Sequence, residues 1–283
     1  MSGTTTLAPA DSPAAAPIAP RIPDDASQHV PFRAMLRHVG AVTRRYLILI
    51  KNDPEQLMDV VLMPVIFLVL FVYVFGGAIS GSTHQYMQFV VPGILVQTAI
   101  MAGSTTGVGI NTDLTNGVMD RFRSLPMARS AVLTGRLVSD MCRLLLCAAI
   151  TLGLATALGF RFHTNVGAGL LAVALVMGFS FALGWLFMIV GIKGKNPQSV
   201  QGLSILITMP LQFGSSMFAP TNSMPGWLQA FVKVNPMTHI VNACRALTTG
   251  GAYAHDVWIS LAWIVGIIVV AAPIAVRMYR KKI

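Results

Sequence analysis

The side chains able to do chemistry are few, and their spacing matches no catalytic or ligating pattern. His29, His38, His84, His163, His239 and His255 are scattered along the chain. A lone histidine is more often a hydrogen-bonded structural residue than a ligand. Cys142, Cys147 and Cys244 form no CxxC and no His/Cys cluster of metal-ligand spacing, so they read as buried or lipid-facing thiols. Neither GxSxG nor HExxH occurs. The nearest approach to GxxxxGK[ST] is Gly194-Lys195-Asn196, which lacks the upstream glycine and the hydroxyl. No enzyme, no metal site and no cofactor bound by this chain are therefore expected, and the chain cannot hydrolyse a nucleotide through a P-loop by itself.

Charges within the apolar stretches are also few. Asp59 lies near the start of the first, and Asp140 and Arg143 near the start of the third. An arginine at such a position can snorkel to the headgroups. A proton-coupled carrier needs an acid deep in the membrane, and none is expected near the midplane. Gln97, Thr98 and Gln212 lie deeper but are neutral. They suit either a pathway lining or helix-to-helix hydrogen bonds.

The elements that position these residues are membrane spans. The 283 residues are 54% hydrophobic and 11% charged, with mean hydropathy +0.68. Soluble domains carry about 25% charged residues, so this chain could not cover a water-facing surface. Six apolar stretches, at about 57–79, 88–110, 141–160, 167–192, 198–219 and 257–277, each approach the roughly 20 residues a span needs. The expected fold is an all-α integral membrane protein with a six-helix transmembrane domain over 57–283. Pro64, Pro92, Pro210 and Pro273 should loosen or kink their helices.

The net charge is +10. The bases sit beside apolar runs rather than on one polar face, which argues against nucleic acid. With the N-terminus in the cytoplasm, all but Arg161, Lys233 and Arg245 of the 20 Lys+Arg fall inside. That asymmetry places both termini in the cytoplasm. Residues 1–30, rich in Ala, Pro, Ser and Thr, read as a disordered cytoplasmic tail. Residues 31–56 form a basic amphipathic segment. Phe32, Met35, Leu36, Val39, Val42, Tyr46 and Leu49 recur at helical spacing, with Arg33, Arg37, Arg44, Arg45 and Lys51 between them. This suits a helix lying in the membrane interface, or one packed on its own protein. The outer segment 220–256 carries Trp227, Leu228, Phe231, Val232 and Val234, and should hold one or two short helices on or dipping into the outer leaflet.

The inner segment 111–140 is long and charged. Asp113 is expected to cap or open a short helix, where a negative charge is favoured. Val118, Met119, Phe122 and Leu125 give that helix an apolar edge, Asp120, Arg121 and Arg123 keep it wet, and Pro126 ends it. Such an element suits docking into a groove on another protein, or packing on its own bundle.

The run from Asp120 to Arg136 (DRFRSLPMARSAVLTGR), Asn52-Asp53-Pro54-Glu55, FVYVFGG over 71–77, and Asn235, Pro236 and His239 fall in a recognisable order. On these residues the chain, from about residue 32 to its end, resembles the membrane-spanning subunits of ABC-2 type ABC exporters, within them the daunorubicin-resistance group of drug-efflux permeases. The resemblance implies a plasma-membrane permease working as a pair, a homodimer or two related chains, for small hydrophobic substrates. It also implies a separate ATP-binding subunit, which would hold ATP and Mg2+. Roles in docking that subunit would fall on the N-terminal helix (Arg37, Arg44, Arg45) and on a coupling helix around 111–128 (Asp113, Gly117, Asp120, Arg121, Phe122, Arg123). Many members carry Glu residues and Gly-Thr in this inner helix, where this chain has Asp113 and Gly117-Val118. Phe67, Phe71, Phe75, Gln97 and Gln212 are candidates for the substrate path, as aromatic or polar residues in spans expected to face the dimer axis. Alternatives are an ABC exporter of lipid-linked glycans or lipids and a proton-coupled carrier.

Overall fold

The structure is a computed structural model, and it describes residues 37, 39–41, 43–46, 48, 54–76, 82–117 and 129–282. The disordered tail expected over 1–30 and the docking residues Asp120, Arg121, Phe122 and Arg123 lie outside the described residues.

Every element described is helical. The described residues between 37 and 48 form a helix. Then come α1 (Pro54–Leu70), continued by a π-helical turn over Phe71–Phe75, α2 (Thr83–Thr115), α3 (Arg129–Ala157), α4 (Val166–Lys193), α5 (Pro197–Phe213), α6 (Gly226–Val234), α7 (Pro236–Thr249) and α8 (Ala254–Lys282). Four of them, α2, α3 from Leu133, α4 and α8, are long and apolar enough to cross a membrane. Leu62–Phe75 is a shorter apolar helix, and α5 has 17 residues.

Asparagine and serine side chains start these helices. Ser82 Oγ accepts from the Gln85 N–H at 3.2 Å, Asn165 Oδ1 from Ala168 at 2.8 Å, Asn196 Oδ1 from Ser199 at 2.8 Å and Asn235 Oδ1 from Met237 at 2.9 Å. Each satisfies an N–H that the first turn leaves without an intrahelical partner. Pro197 and Pro236 occupy the first helical positions, where the missing N–H costs nothing. Pro64, Pro92, Pro210 and Pro273 all lie inside helices that continue through them.

The centre of the bundle is α2. Its most apolar stretch is 78% buried, against 22% for that of α8 at the periphery. Helices in lipid associate through close backbone approach rather than through hydrophobic exclusion. Here α2 and α4 meet through glycines. A Cβ on Gly107 would stand 2.5 Å from the Phe187 carbonyl oxygen, and one on Gly191 would stand 2.2 Å from the Gly107 carbonyl oxygen. Gly103, one turn earlier, abuts Leu183 Cβ at 2.9 Å. Ser180 Oγ adds a hydrogen bond to the Ala99 carbonyl at 2.9 Å.

Three of the boundaries that differ from the sequence expectation bear on the sites below. First, α2 runs on to Thr115, so Asp113 sits in its last turn and does not open a new helix. Second, α3 begins at Arg129, twelve residues before the expected third span, so the long inner segment is mostly helix contributed from its two sides. Third, α5 stops at Phe213 rather than 219: its last backbone bond runs from the Gly214 N–H to the Pro210 carbonyl at 2.8 Å, and the chain then turns. The outer segment does hold two short helices. α6 is largely exposed, with Trp227 and Val234 at the surface. α7 instead buries Met237, Ile240, Val241, Ala243, Cys244 and Leu247 against α2, α4 and α8.

Candidate functional site: a charged end and an aromatic wall

Two clusters stand out, at opposite ends of the bundle. The first gathers where the N-terminal helix meets the end of α2 and the first half of α3. Asp113 is its centre. Asp113 Oδ2 accepts from the Tyr46 hydroxyl at 2.7 Å and from Arg136 Nη1 at 2.8 Å. Both carboxylate and guanidinium are about one-seventh exposed. A carboxylate in the last turn of a helix is disfavoured by the helix dipole, so these donors are what holds it there. The Arg136 guanidinium also lies 4.8 Å over the Tyr46 ring and packs on Gly109. Further into α3, Asp140 accepts from Thr106 Oγ1 at 2.6 Å and lies 3.9 Å from Arg136 and 3.6 Å from Arg143. Thr43 Oγ1 donates to the Gly135 carbonyl at 3.0 Å. Asn111 Nδ2 donates to the carbonyls of Gly191 and Gly194, both at 2.8 Å, and so tethers the end of α2 to the end of α4. Burial, with the negative charge of Asp113, pushes the Tyr46 phenol up to about 12. Tyr46 is thus a permanent donor at neutral pH.

This arrangement locates the sequence candidates. Arg37 and Arg44 are exposed on the N-terminal helix, and Arg45 is half-buried, 5.4 Å over the Tyr46 ring. Gly117 has φ 66° and follows the end of α2, in the left-handed conformation that ends many helices. Asp113 is committed to an internal ion pair, which is a correction to its expected place at the start of an exposed helix. Arg136 was missed as its partner, because 23 residues separate the two in sequence.

The second cluster is a wall of aromatic rings at the other end. Phe67 on α1 and Phe71 and Phe75 on its π-helical turn, four residues apart, stack at 6.1 and 5.3 Å between centroids. Phe71 also stacks on Phe218 at 4.6 Å, and Phe213 lies 5.7 Å from Phe218. Tyr86 donates to the Phe218 carbonyl at 3.0 Å and lies 6.2 Å from Phe89. The Arg245 guanidinium lies 3.8 Å over the Phe89 ring. The structure therefore brings together the three phenylalanines read from the sequence and adds Phe213, Phe218, Tyr86, Phe89 and Arg245. Gln212 precedes Phe213 in this wall and is half-buried. Gln97 is buried in α2, and its Oε1 has no hydrogen-bond partner among the described residues. No hydrogen bond joins it to the wall among those residues.

A third set of contacts fastens the wall to the outer helices. Asn235 Nδ2 donates to the Leu211 and Gly214 carbonyls, both at 2.7 Å, tying the start of α7 to the end of α5. His239 Nδ1 lies 2.8 Å from Asp256 Oδ1, and its Nε2 lies 3.0 Å from the Lys233 carbonyl.

Comparison with known proteins gives this architecture a family. The chain is 41% identical over 238 residues, 84% of each chain, to the daunorubicin resistance ABC transporter permease protein DrrB1 of Streptomyces coeruleorubidus. It is 26% identical, over 84% of this chain and 87% of the relative, to the probable doxorubicin resistance ABC transporter permease protein DrrC of Mycobacterium tuberculosis (strain ATCC 25618 / H37Rv). It is 25% identical, over 84% of this chain and 82% of the relative, to the putative transport permease ycf38 of Cyanophora paradoxa. The model of the ABC-2 type transporter family matches residues 37–248, which take in the described N-terminal helix, both clusters and α7 up to Thr248. This multi-pass helical membrane protein belongs to the ABC-2 type transporter family.

Proposed function

We propose that this chain is the membrane-spanning permease subunit of an ATP-driven exporter of hydrophobic drugs or natural products. One observation carries the reading: the 41% identity, across 84% of both chains, to a permease named for daunorubicin resistance. The geometry supports it. A wall of stacked, partly exposed rings offers area for planar apolar cargo without a fixed hydrogen-bond pattern. Asp140 is the acid a proton-coupled carrier would need, but Thr106, Arg136 and Arg143 already surround it, which favours a structural role.

The chain crosses the bilayer six times, with both termini and the charged end in the cytoplasm. In this reading α1 with its π-helical turn and α5 are the first and fifth crossings. The 17 residues of α5 rise about 26 Å, somewhat less than the roughly 30 Å hydrocarbon core. The deficit is made up by the chain beyond Phe213. There Asn235 holds the Leu211 and Gly214 carbonyls that lipid could not satisfy. A second copy of the permease covers the exposed apolar faces of α1 (Ile66, Tyr73) and α5 (Leu206, Phe213). A separate ATP-binding subunit docks on the N-terminal helix, at Arg37 and Arg44, and on the connection from Gly117 to Arg129. Because Asp113 ties Tyr46 to Arg136, those two receiving elements move together.

The test is charge reversal at Arg121 and Arg123, which leaves α2 and α3 intact. A double Arg121→Glu, Arg123→Glu chain, co-expressed with its ATPase, should insert in the membrane at wild-type levels yet lose ATP-dependent efflux. Undiminished efflux would sink the docking assignment.

A further inference from the structure

The sequence contains ten Asp+Glu, and beyond Asp140 it contains one, Asp256. Asp256 is held 2.8 Å from His239. The other acids among the described residues are Glu55 and Asp59 in the first two turns of α1, Asp113 in the last turn of α2 and Asp140 in the first half of α3. Among the described residues, Arg245, beside the aromatic wall, therefore has no carboxylate to pair with. Its hydrogen-bond partners are all neutral: Nε donates to the Phe89 carbonyl at 3.2 Å, Nη1 to Asn242 Oδ1 at 3.2 Å and Nη2 to the Ser216 carbonyl at 2.9 Å. A guanidinium carries five N–H groups, so two remain uncommitted. The charge stands against an aromatic face among apolar helices, where an isolated cation is costly unless an anion joins it. The side chain is half-buried rather than sealed. The neutral partners fix its orientation. Ser216 Oγ further locks Asn242 Oδ1 at 2.7 Å, so the fork is rigid before any ligand arrives.

We propose that Arg245 is an anion-binding residue, taking the carboxylate or phosphate of an amphiphile whose apolar body lies on Phe71, Phe213 and Phe218. The anion completes a charge pair that the described residues leave open, and the guanidinium is joined to the rings through Phe89, Tyr86 and the Ser216 carbonyl, two residues before Phe218. Two sources share this chemistry: an anionic lipid headgroup and a small anionic amphiphile. That the occupant is exported cargo rests on the permease reading; that an anion binds does not.

The test uses the full chain in phosphatidylcholine nanodiscs, without any ATPase. Fluorescence anisotropy compares 1-pyrenebutyrate with the neutral 1-pyrenebutanol. The carboxylate should bind about tenfold tighter, the scale of one charge-assisted hydrogen-bonded pair. Asn242→Asp places a carboxylate at the position of the atom that already accepts from Arg245, and is isosteric. It should abolish the tenfold preference while keeping the wild-type unfolding temperature or raising it. Lys233→Gln, which removes a nearby cation outside the wall, should leave the preference intact. Discs containing phosphatidylglycerol identify the source. Weakened pyrenebutyrate binding assigns the site to a lipid headgroup, and unchanged binding assigns it to a small amphiphile. Equal binding of acid and alcohol, a preference that survives Asn242→Asp, or an equal loss in Lys233→Gln would overturn the proposal. Because no ATP is involved, such a failure leaves the exporter reading standing, and a failure of ATP-driven efflux leaves this binding result standing.

Discussion

Replacing Asp113 by alanine should loosen the N-terminal helix from the bundle. The substitution removes the Tyr46 acceptor at 2.7 Å and the Arg136 partner at 2.8 Å. Breaking a fully buried pair from one side costs about 3–5 kcal/mol. Here the pair is about one-seventh exposed, and Asp140, 3.9 Å away, takes up part of the guanidinium charge. A cost of about 2–3 kcal/mol remains. For a chain of this size each kcal/mol moves the unfolding midpoint by roughly 2 °C, so a fall of about 5 °C is expected. Unfolding in detergent is often irreversible, so all variants are scanned at one rate and compared as differences. Arg136→Met completes a double-mutant cycle, since it removes the guanidinium and leaves Asp140 with Arg143 and Thr106. The double variant should be more stable than the sum of the single losses implies, by about 2 kcal/mol of coupling. A local readout accompanies the global one: trypsin should cut at the half-buried Arg45 faster in Asp113→Ala than in the wild type. Additive effects of the two substitutions, with unchanged cleavage at Arg45, would refute the keystone role of Asp113.

Three further outcomes are expected. Gly191→Val and Gly107→Val force a side chain into the facing backbone at 2.2–2.5 Å, where nothing flexible can yield, so each should destabilise by at least about 3 kcal/mol and cut the yield of monodisperse protein. Gly202→Ala, with open space at its Cβ, should not. The Tyr46 phenol, at about 12 in the fold against 10 unfolded, contributes stability that is complete below pH 10 and lost as pH rises toward 12. Tyr46→Phe should flatten that stretch of the stability profile. Phe71→Ala removes the ring that joins the α1 stack to Phe218, and should lower photolabelling of the wall by an aromatic drug analogue several-fold without moving the labelling of α8.

How much of this was legible in the sequence differs by element. α4 was read within a residue or two, since its apolar run is bounded by Asn165 and Gly194. The aromatic stack on α1 was visible as Phe67, Phe71 and Phe75 at spacing four. The end of α2 misled for a physical reason. Asn111, Thr112 and Asp113 are residue types that favour helix starts. Here partners distant in sequence override that preference: Asn111 serves the carbonyls of α4, and Asp113 is held by Tyr46 and Arg136. The start of α3 was obscured because the charged stretch up to Arg136 reads as a connection, with Asp140 and Arg143 only at the edge of the apolar run. Their spacing of four and three instead places them on one helix face, turned toward α2. Phe213, Phe218 and Arg245 belong to the wall only because α5 ends early and α7 folds back into the bundle, which no local signal announces.

The most direct test of the account is reconstitution. The chain is placed in proteoliposomes with and without a cognate ATP-binding subunit, and uptake of a fluorescent hydrophobic drug into inverted vesicles is followed on adding ATP and Mg2+. The account predicts ATP-dependent accumulation only when both chains are present, unchanged by collapse of the proton gradient. Accumulation driven by a proton gradient with this chain alone would contradict it.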